Sequence, residues 1–333
     1  LKTELKLISK NSFLMAKVLE HLANSNSNPV FSIEIIPPSK GGQFKELIKD
    51  IEPMMELKPP FIDVTYHREE YIAGKNQDGT PKEIKNRKRP GTVGLCSAIM
   101  HKFDVDPVPH VLCGGFTKED TEDLLIDLNY LGIQNVVALR GDHAKPFNHF
   151  KPKKEGHKYA SELIAQIKEM NQGKYLHEET DGLTPSDFCI GAAAYPEKHF
   201  EAESLEVDFE NLKKKVAAGA EYLVTQMFFN NSKYFDFVNK CRANNINIPI
   251  IPGLKILSTK KQLDILPKIF YLDMPQALKS EVEVAKDDKA VRQVGIEWCV
   301  NQCKELINFG VPALHFYTMS KSTTTMAVAK QIF

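Results

Sequence analysis

The chain lacks most of the features that would commit it to a secreted, membrane or nucleic-acid role. Its six cysteines, at 96, 113, 189, 241, 299 and 303, include no C-x-x-C pair. That spacing offers no zinc ribbon and no dithiol motif, and it reads as reduced thiols in a cytoplasmic protein. No apolar run reaches the ~18–20 residues that a membrane helix needs, and residues 1–10 interleave Leu and Ile with Lys and Glu, unlike a signal peptide. Neither charge dominates: 43 Lys and Arg balance 43 Asp and Glu, so nothing calls for nucleic acid or an anionic membrane. Glycine-rich phosphate loops are missing too, since neither G-x-G-x-x-G nor G-x-x-x-x-G-K-[ST] occurs. A doubly wound sheet with a conventional nucleotide site would need one after a strand.

What is present is a regular alternation of apolar runs and amphipathic stretches. Strands are expected over 30–36, 61–66, 108–113, 136–139, 187–194, 222–229, 248–253 and 313–317. Helical periodicity fills the intervals, with a capping box at Thr117 to Asp120 opening one helix and Gly132 closing it. Eight strands separated by helices at right-handed crossover spacing predict a single α/β (β/α)8 TIM barrel over 29–333. Residues 1–28 are expected to form an N-terminal extension with a short extra helix on Leu14, Val18 and Leu22. The polar stretch from Tyr71 to Pro90 reads as a surface loop.

In such a barrel the carboxyl ends of the strands share one mouth, and active sites form there. Glu34, Thr65, His110, Asp142, Tyr195, Gln226 and Tyr317 are then expected to face a common pocket. Glu34 lies within Val30 to Ile36, an otherwise apolar run, where an unpaired buried carboxylate costs several kcal/mol. The run Val136 to Leu139 breaks off into Arg140-Gly141-Asp142-His143, charge and glycine delivered at a strand end. Asp208, Asn211 and Lys215 form a polar stripe on one helix, which by spacing alone reads as a solvated face.

Several of these strand ends match a known pattern. FSIEIIPP (31–38), DVTYH (63–67), PHVLC (109–113), ALRGD (138–142), AAYPEKH (193–199), AGAEYLVTQMFF (218–229), IIPG (250–253) and HFYT (315–318) resemble methylenetetrahydrofolate reductases in order along the chain. The likeness spans roughly residues 29–325 and is closest to the short bacterial form without a regulatory domain. It implies an FAD enzyme that passes hydride from NADH or NADPH to methylenetetrahydrofolate by a ping-pong route. It also implies roles for particular residues. Glu34 would be the general acid, and Asp142 the carboxylate beside flavin and pterin. Thr65, Tyr66, His110, Leu139, Arg140, Gly141, Asp142, Tyr159, Ala160, Tyr195, His199, Asp208, Asn211, Lys214 and Lys215 would contact FAD. Gln226, Gln262 and Lys321 would contact the folate. The resemblance thus replaces the solvated-face reading of the 208–215 stripe with a cofactor-binding one. No metal is implied, and further copies of the chain are expected partners. Two departures stand out: Lys321 and Lys214 occupy places where Arg is usual, and Arg grips a carboxylate or phosphate with a planar fork that Lys lacks. The alternative reading is a flavin- and folate-binding subunit that takes electrons from a partner protein.

Overall fold

The computed structural model describes residues 15–25, 28–141, 150–177 and 183–333. Its strands are β1 (Val30–Ile35), β2 (Phe61–Val64), β3 (Glu70–Lys75), β4 (Pro81–Asn86), β5 (Asp106–Leu112), β6 (Asn135–Leu139), β7 (Cys189–Ala194), β8 (Tyr222–Thr225), β9 (Ile250–Ile251), β10 (Gly253–Leu254) and β11 (Ala313–Tyr317). Its helices are α1 (Val18–Ala23), α2 (Phe44–Ile51), α3 (Thr92–Phe103), α4 (Lys118–Tyr130), α5 (Ala160–Met170), α6 (Leu205–Ala218), α7 (Asn231–Ala243), α8 (Gln262–Phe270), α9 (Gln276–Val284), α10 (Asp288–Phe309) and α11 (Ser322–Ala329). Among the described residues no helix is long and apolar enough to cross a membrane.

Nine of these strands run parallel in the order β10-β11-β1-β2-β5-β6-β7-β8-β9. The two ends of that order are adjacent in the chain, because β9 and β10 are separated only by Pro252. Ile251 pairs with Val224 of β8, while Gly253 pairs with His315 of β11. Pro252 has no N–H to give to a ladder, but its carbonyl accepts from His315 N at 3.1 Å. One stave therefore changes partner at a proline, and the sheet closes as the expected eight-stave α/β barrel.

Strand alternation divides the core into two shells. Phe31, Ile33, Ile35, Ile62, Val64, Val111, Ile190, Leu314 and Phe316 pack outward in the large cluster that includes helix residues such as Leu95, Leu125 and Leu163. Val30, Phe61, Val108, Val137, Cys189, Tyr222, Ile251 and Ala313 form a separate inner cluster together with Val18. Helix α1 plugs the amino-terminal mouth of the barrel. Val18 N donates to Asn135 Oδ1 (2.8 Å), Ala16 N to Asp106 Oδ2 (3.1 Å), and Lys17 Nζ to Asp187 Oδ1 (2.5 Å). These acceptors stand at or just before the starts of β6, β5 and β7, so the plug is held by the strand ends it covers.

The structure corrects three of the sequence expectations. The short extra helix expected on Leu14, Val18 and Leu22 begins at Val18 and ends at Ala23, residues 15–17 preceding it as non-helical chain, and Leu14 lies outside the described residues. The stretch read as a surface loop contains an antiparallel hairpin, β3–β4, with Ile72 opposite Ile84. Its turn is closed by Asn76 N to Thr80 O (2.9 Å), with Gly79 at φ +83° and Asp78 Oδ1 accepting from Thr80 N (3.0 Å). An Asp-Gly turn is a strong hairpin signal, but the flanking strands EYIAGK and PKEIKN interrupt their few apolar residues with Glu, Lys and Asn, and apolar alternation did not reveal them. The strand expected over 222–229 ends at Thr225. Beyond it, the carbonyls of Phe228 and Phe229 accept from Gln302 Nε2 (2.9 Å) and Trp298 Nε1 (3.1 Å) of α10 instead of from a neighbouring strand.

Candidate active site

The barrel mouth is built from the inward-facing residues of β1, β2, β5 and β11. Glu34, one residue from the end of β1, pairs in register with Asp63 and with Tyr317. His110 Nε2 stands 3.4 Å from Asp63 Oδ2 and 3.8 Å from Glu34 Oε2, so a single ring nitrogen faces two carboxylates. The Glu34 side chain is only 15% exposed. Burial pushes its carboxyl up to about 7; the nearby His110 charge opposes this and the Asp63 charge adds to it. Burial by itself would lower the pKa of His110, but the Asp63 hydrogen bond and the Glu34 charge overcome it and raise the ring above its ordinary value. A carboxylic acid that keeps its proton near neutrality can give that proton to a substrate.

Below this layer lies His315, fully buried, with Ser32 Oγ 2.9 Å from its Nδ1. Burial lowers its pKa, which keeps it neutral. Tyr317 donates its hydroxyl to the Thr225 carbonyl at 2.6 Å. Thr65 Oγ1 and His67 Nε2 are buried and have no partner among the described residues. Such orphaned groups at a strand-end rim are suited to a bound polar molecule.

The opposite side of the rim, around β6, β7 and α6, is rich in cations. Arg140 forms an ion pair with Glu201, whose other oxygen accepts from Phe150 N at 2.9 Å, and the guanidinium lies 5.0 Å from the Phe150 ring. Gly141, at φ +79°, continues the chain over Leu112. His199 N donates to Asp208 Oδ2 (3.1 Å), and His199 packs edge-on against Tyr195 at 4.7 Å. Burial, reinforced by Arg140 and Lys215, pushes His199 down to about 4, so the ring is neutral. Lys215 donates to the Ala193 carbonyl at 2.8 Å; burial lowers its pKa to about 8, which still leaves it charged at neutral pH. A cavity of about 230 Å³ opens beside this cluster, lined by Tyr195, Asp208, Phe209 and Lys215 on one side and by Lys233 and Phe237 of α7 on the other.

The residues singled out from sequence are therefore brought together unevenly. Glu34 and His110 meet directly. Thr65 N continues the ladder to Ile35 O (3.1 Å), and Gln226 N does the same to Ala194 O (2.8 Å), which puts both at the same rim. Asp208 and Lys215 share the cavity wall, whereas Lys214, one helical step of ~100° away, is exposed. Tyr66 packs edge-on against Phe116 at 5.0 Å, Leu139 ends β6, and Ala160 is buried at the start of α5 beside the half-exposed Tyr159. Asn211 lies half-buried on α6. Gln262 turns its carbonyl oxygen to its own loop, accepting from Ser258 N (2.7 Å) and Thr259 N (3.2 Å). Lys321 is exposed at the N-cap of α11. Asp142 lies outside the described residues.

Asp63 and Lys255 are the mouth residues that sequence reasoning passed over. Asp63 was visible as the inward position between Phe61 and Thr65. Lys255 falls two residues past the expected end of its strand, and alternation extended through Gly253 would have placed it inside the mouth.

With this geometry established, the chain can be set beside known proteins. It is 30% identical over 304 residues to methylenetetrahydrofolate reductase 1 of Schizosaccharomyces pombe, covering 91% of this chain and 45% of that protein. It is 27% identical over 325 residues to a probable methylenetetrahydrofolate reductase (NADPH) of Caenorhabditis elegans, covering 97% and 45%. The chain thus spans about half the length of those two relatives. Against the 5,10-methylenetetrahydrofolate reductase of Escherichia coli it is 30% identical over 298 residues, covering 89% of this chain and 88% of that one. A family model described as methylenetetrahydrofolate reductase matches residues 17–333, and the chain belongs to that family.

Proposed function

We propose that this barrel reduces 5,10-methylenetetrahydrofolate to 5-methyltetrahydrofolate, with FAD carrying hydride from NADH or NADPH. The observation that carries the reading is Glu34, a largely buried carboxylic acid with its pKa raised to about 7, held at the mouth between His110, Asp63 and Tyr317. Reduction of this folate requires the five-membered ring to open to an iminium, and that step needs a proton at N10. Glu34 supplies the proton and is left as a carboxylate; hydride then adds to the exocyclic methylene carbon. A bound FAD would supply the hydride relay between nicotinamide and folate. Asp142, by resemblance, is the charge that favours the iminium, and Gln226, Gln262 and Lys321 are the folate contacts.

The residues present suit a flavin dinucleotide. Arg140, Lys215 and Lys198 provide positive charge for a diphosphate beside neutral His199. Asp208 and Asn211 offer acceptors and donors for a ribose, and Thr65 Oγ1 is a buried hydroxyl awaiting a partner. The cavity between α6 and α7 is too small for the whole dinucleotide and would take one end of it. These side chains support the flavin reading even though the chain carries no glycine-rich phosphate loop.

Replacing Lys215 by Met should weaken FAD binding by about tenfold or more, the loss of one charge-assisted contact of roughly 1.5–3 kcal/mol. Flavin fluorescence titration of the purified chain measures this directly. Unchanged affinity would remove Lys215 from the cofactor site. The reading as a whole is tested by an anaerobic visible spectrum. The flavin band should bleach with NADH or NADPH and return when methylenetetrahydrofolate is added. A protein that takes up no FAD overturns the proposal; one that binds FAD but is bleached by neither nicotinamide takes its electrons from a partner.

A further inference from the structure

One half-buried cation at the mouth has no place among the roles above. Lys255 follows Gly253 and Leu254 of β10, so it shares the inward parity of Gly253. Its Nζ donates to the Tyr317 carbonyl at 3.1 Å. Tyr317 is the residue paired with Glu34 across β11 and β1, and Thr318 Oγ1 donates to the Glu34 carbonyl at 2.8 Å. The ammonium is therefore fastened to the strand segment that also holds Glu34, and Glu34 is the carboxylate whose field it feels.

We propose that Lys255 is a positioning residue for the general acid: its ammonium stabilises the carboxylate that Glu34 becomes after giving up its proton. The proposal rests on the reading of Glu34 as that acid. The groups facing Glu34 are His110 from β5, Asp63 from β2, Lys255 from the end of β10 and the Tyr317 phenol from β11. Burial and Asp63 favour the protonated form, whereas His110 and Lys255 favour the ionised one. Burial also lowers the pKa of Lys255, to about 8, with Glu34 pulling it back up, so the lysine remains charged through neutral pH. Removing the ammonium leaves His110 alone against burial and Asp63. Glu34 then holds its proton to higher pH and releases it less readily in the reaction.

The test is a pair of titrations on the purified chain. Glutamate labelled with ¹³C at the carboxyl carbon reports each ionisation, and the Glu34 resonance is the one missing from Glu34→Gln. In Lys255→Met its midpoint should rise by about one pH unit, the lower end of the shift expected for a nearby opposite charge. Lys255→Arg should restore most of that shift. Lys255→Gln keeps a donor for the Tyr317 carbonyl without the charge, should behave like Lys255→Met, and serves if the apolar variant fails to fold. The alkaline limb of the folate half-reaction should move upward with the Glu34 midpoint. An unmoved midpoint in the uncharged variants overturns the proposal, and so does a raised KM for folate with the midpoint unmoved, which makes Lys255 a substrate contact. A midpoint that moves while the folate rate profile stays fixed confirms the Lys255–Glu34 coupling but counts against Glu34 as the acid.

Discussion

Glu34→Gln should lose folate turnover by about 10²–10⁴-fold, the usual contribution of a general acid, while its flavin remains reducible by the nicotinamide. Gln keeps the size and one hydrogen-bonding oxygen of the side chain but has no proton of suitable acidity. The neighbourhood makes the substitution mild for folding. Glu34 sits between a ring with a raised pKa and a second carboxylate, and removing one acid from that cluster leaves His110 its 3.4 Å contact with Asp63. The two half-reactions, measured separately by stopped flow, check this. Equal loss in both would mean that the variant disturbs the flavin pocket, and an undiminished folate rate would take the acid role from Glu34. In the unsubstituted protein the same chemistry has a pH signature. The acid form is required and its pKa is raised to about 7, so the folate step should be fastest below that value and decline as pH rises through it.

Much of this site was legible from residue pattern because barrel geometry does the assembling. Once Val30 to Ile35 is a strand with Ile33 and Ile35 outward, Glu34 must point inward, and the same parity places His110 and Tyr317. What escaped was whatever depended on partners distant in sequence. The apolar run after Thr225 looks like more strand, but Met227 and Phe229 pack with Leu257, Leu266 and Leu278 under the α8–α10 segment. Apolar content alone does not distinguish a core loop from a stave. The 208–215 stripe reads as solvated by spacing, and only the tertiary placement of α6 against Ala193 and α7 buries Lys215 while leaving Lys214 outside. The hairpin β3–β4 was hidden by its charge. Lys85 pairs with Glu69 at 2.6 Å and Lys88 with Glu70 at 3.6 Å, interactions that no hydrophobic periodicity announces.

Gly253→Ala should be the most damaging single-methyl substitution at the closure of the barrel. Gly253 does not have a positive φ among the glycines that do, so backbone strain is not the reason. Space is. A Cβ there would run into the Thr225 carbonyl oxygen and lie 2.5 Å from Tyr317 Oη. Neither neighbour is free to yield: they hydrogen-bond to each other at 2.6 Å, and Gly253 N donates to Thr225 Oγ1 at 3.0 Å. Overpacking of this kind costs about 3 kcal/mol, which for 333 residues lowers Tm by about 4 °C. The effect should not stop at stability, because Tyr317 is the register partner of Glu34 and its carbonyl anchors Lys255. A ring displaced by the new methyl moves the wall of the acid's pocket, and folate turnover should fall in molecules that remain folded. Gly94→Ala is the matched control. It lies within α3, nothing lies within 4 Å of the added methyl, and helix propensity favours Ala over Gly by about 0.5–1 kcal/mol. Thermal unfolding of the two variants should therefore give shifts of opposite sign. A Gly253→Ala protein as stable as the parent would mean that Tyr317 can leave the Thr225 carbonyl at little cost, and that the β9–β10 closure is looser than its hydrogen bonds imply.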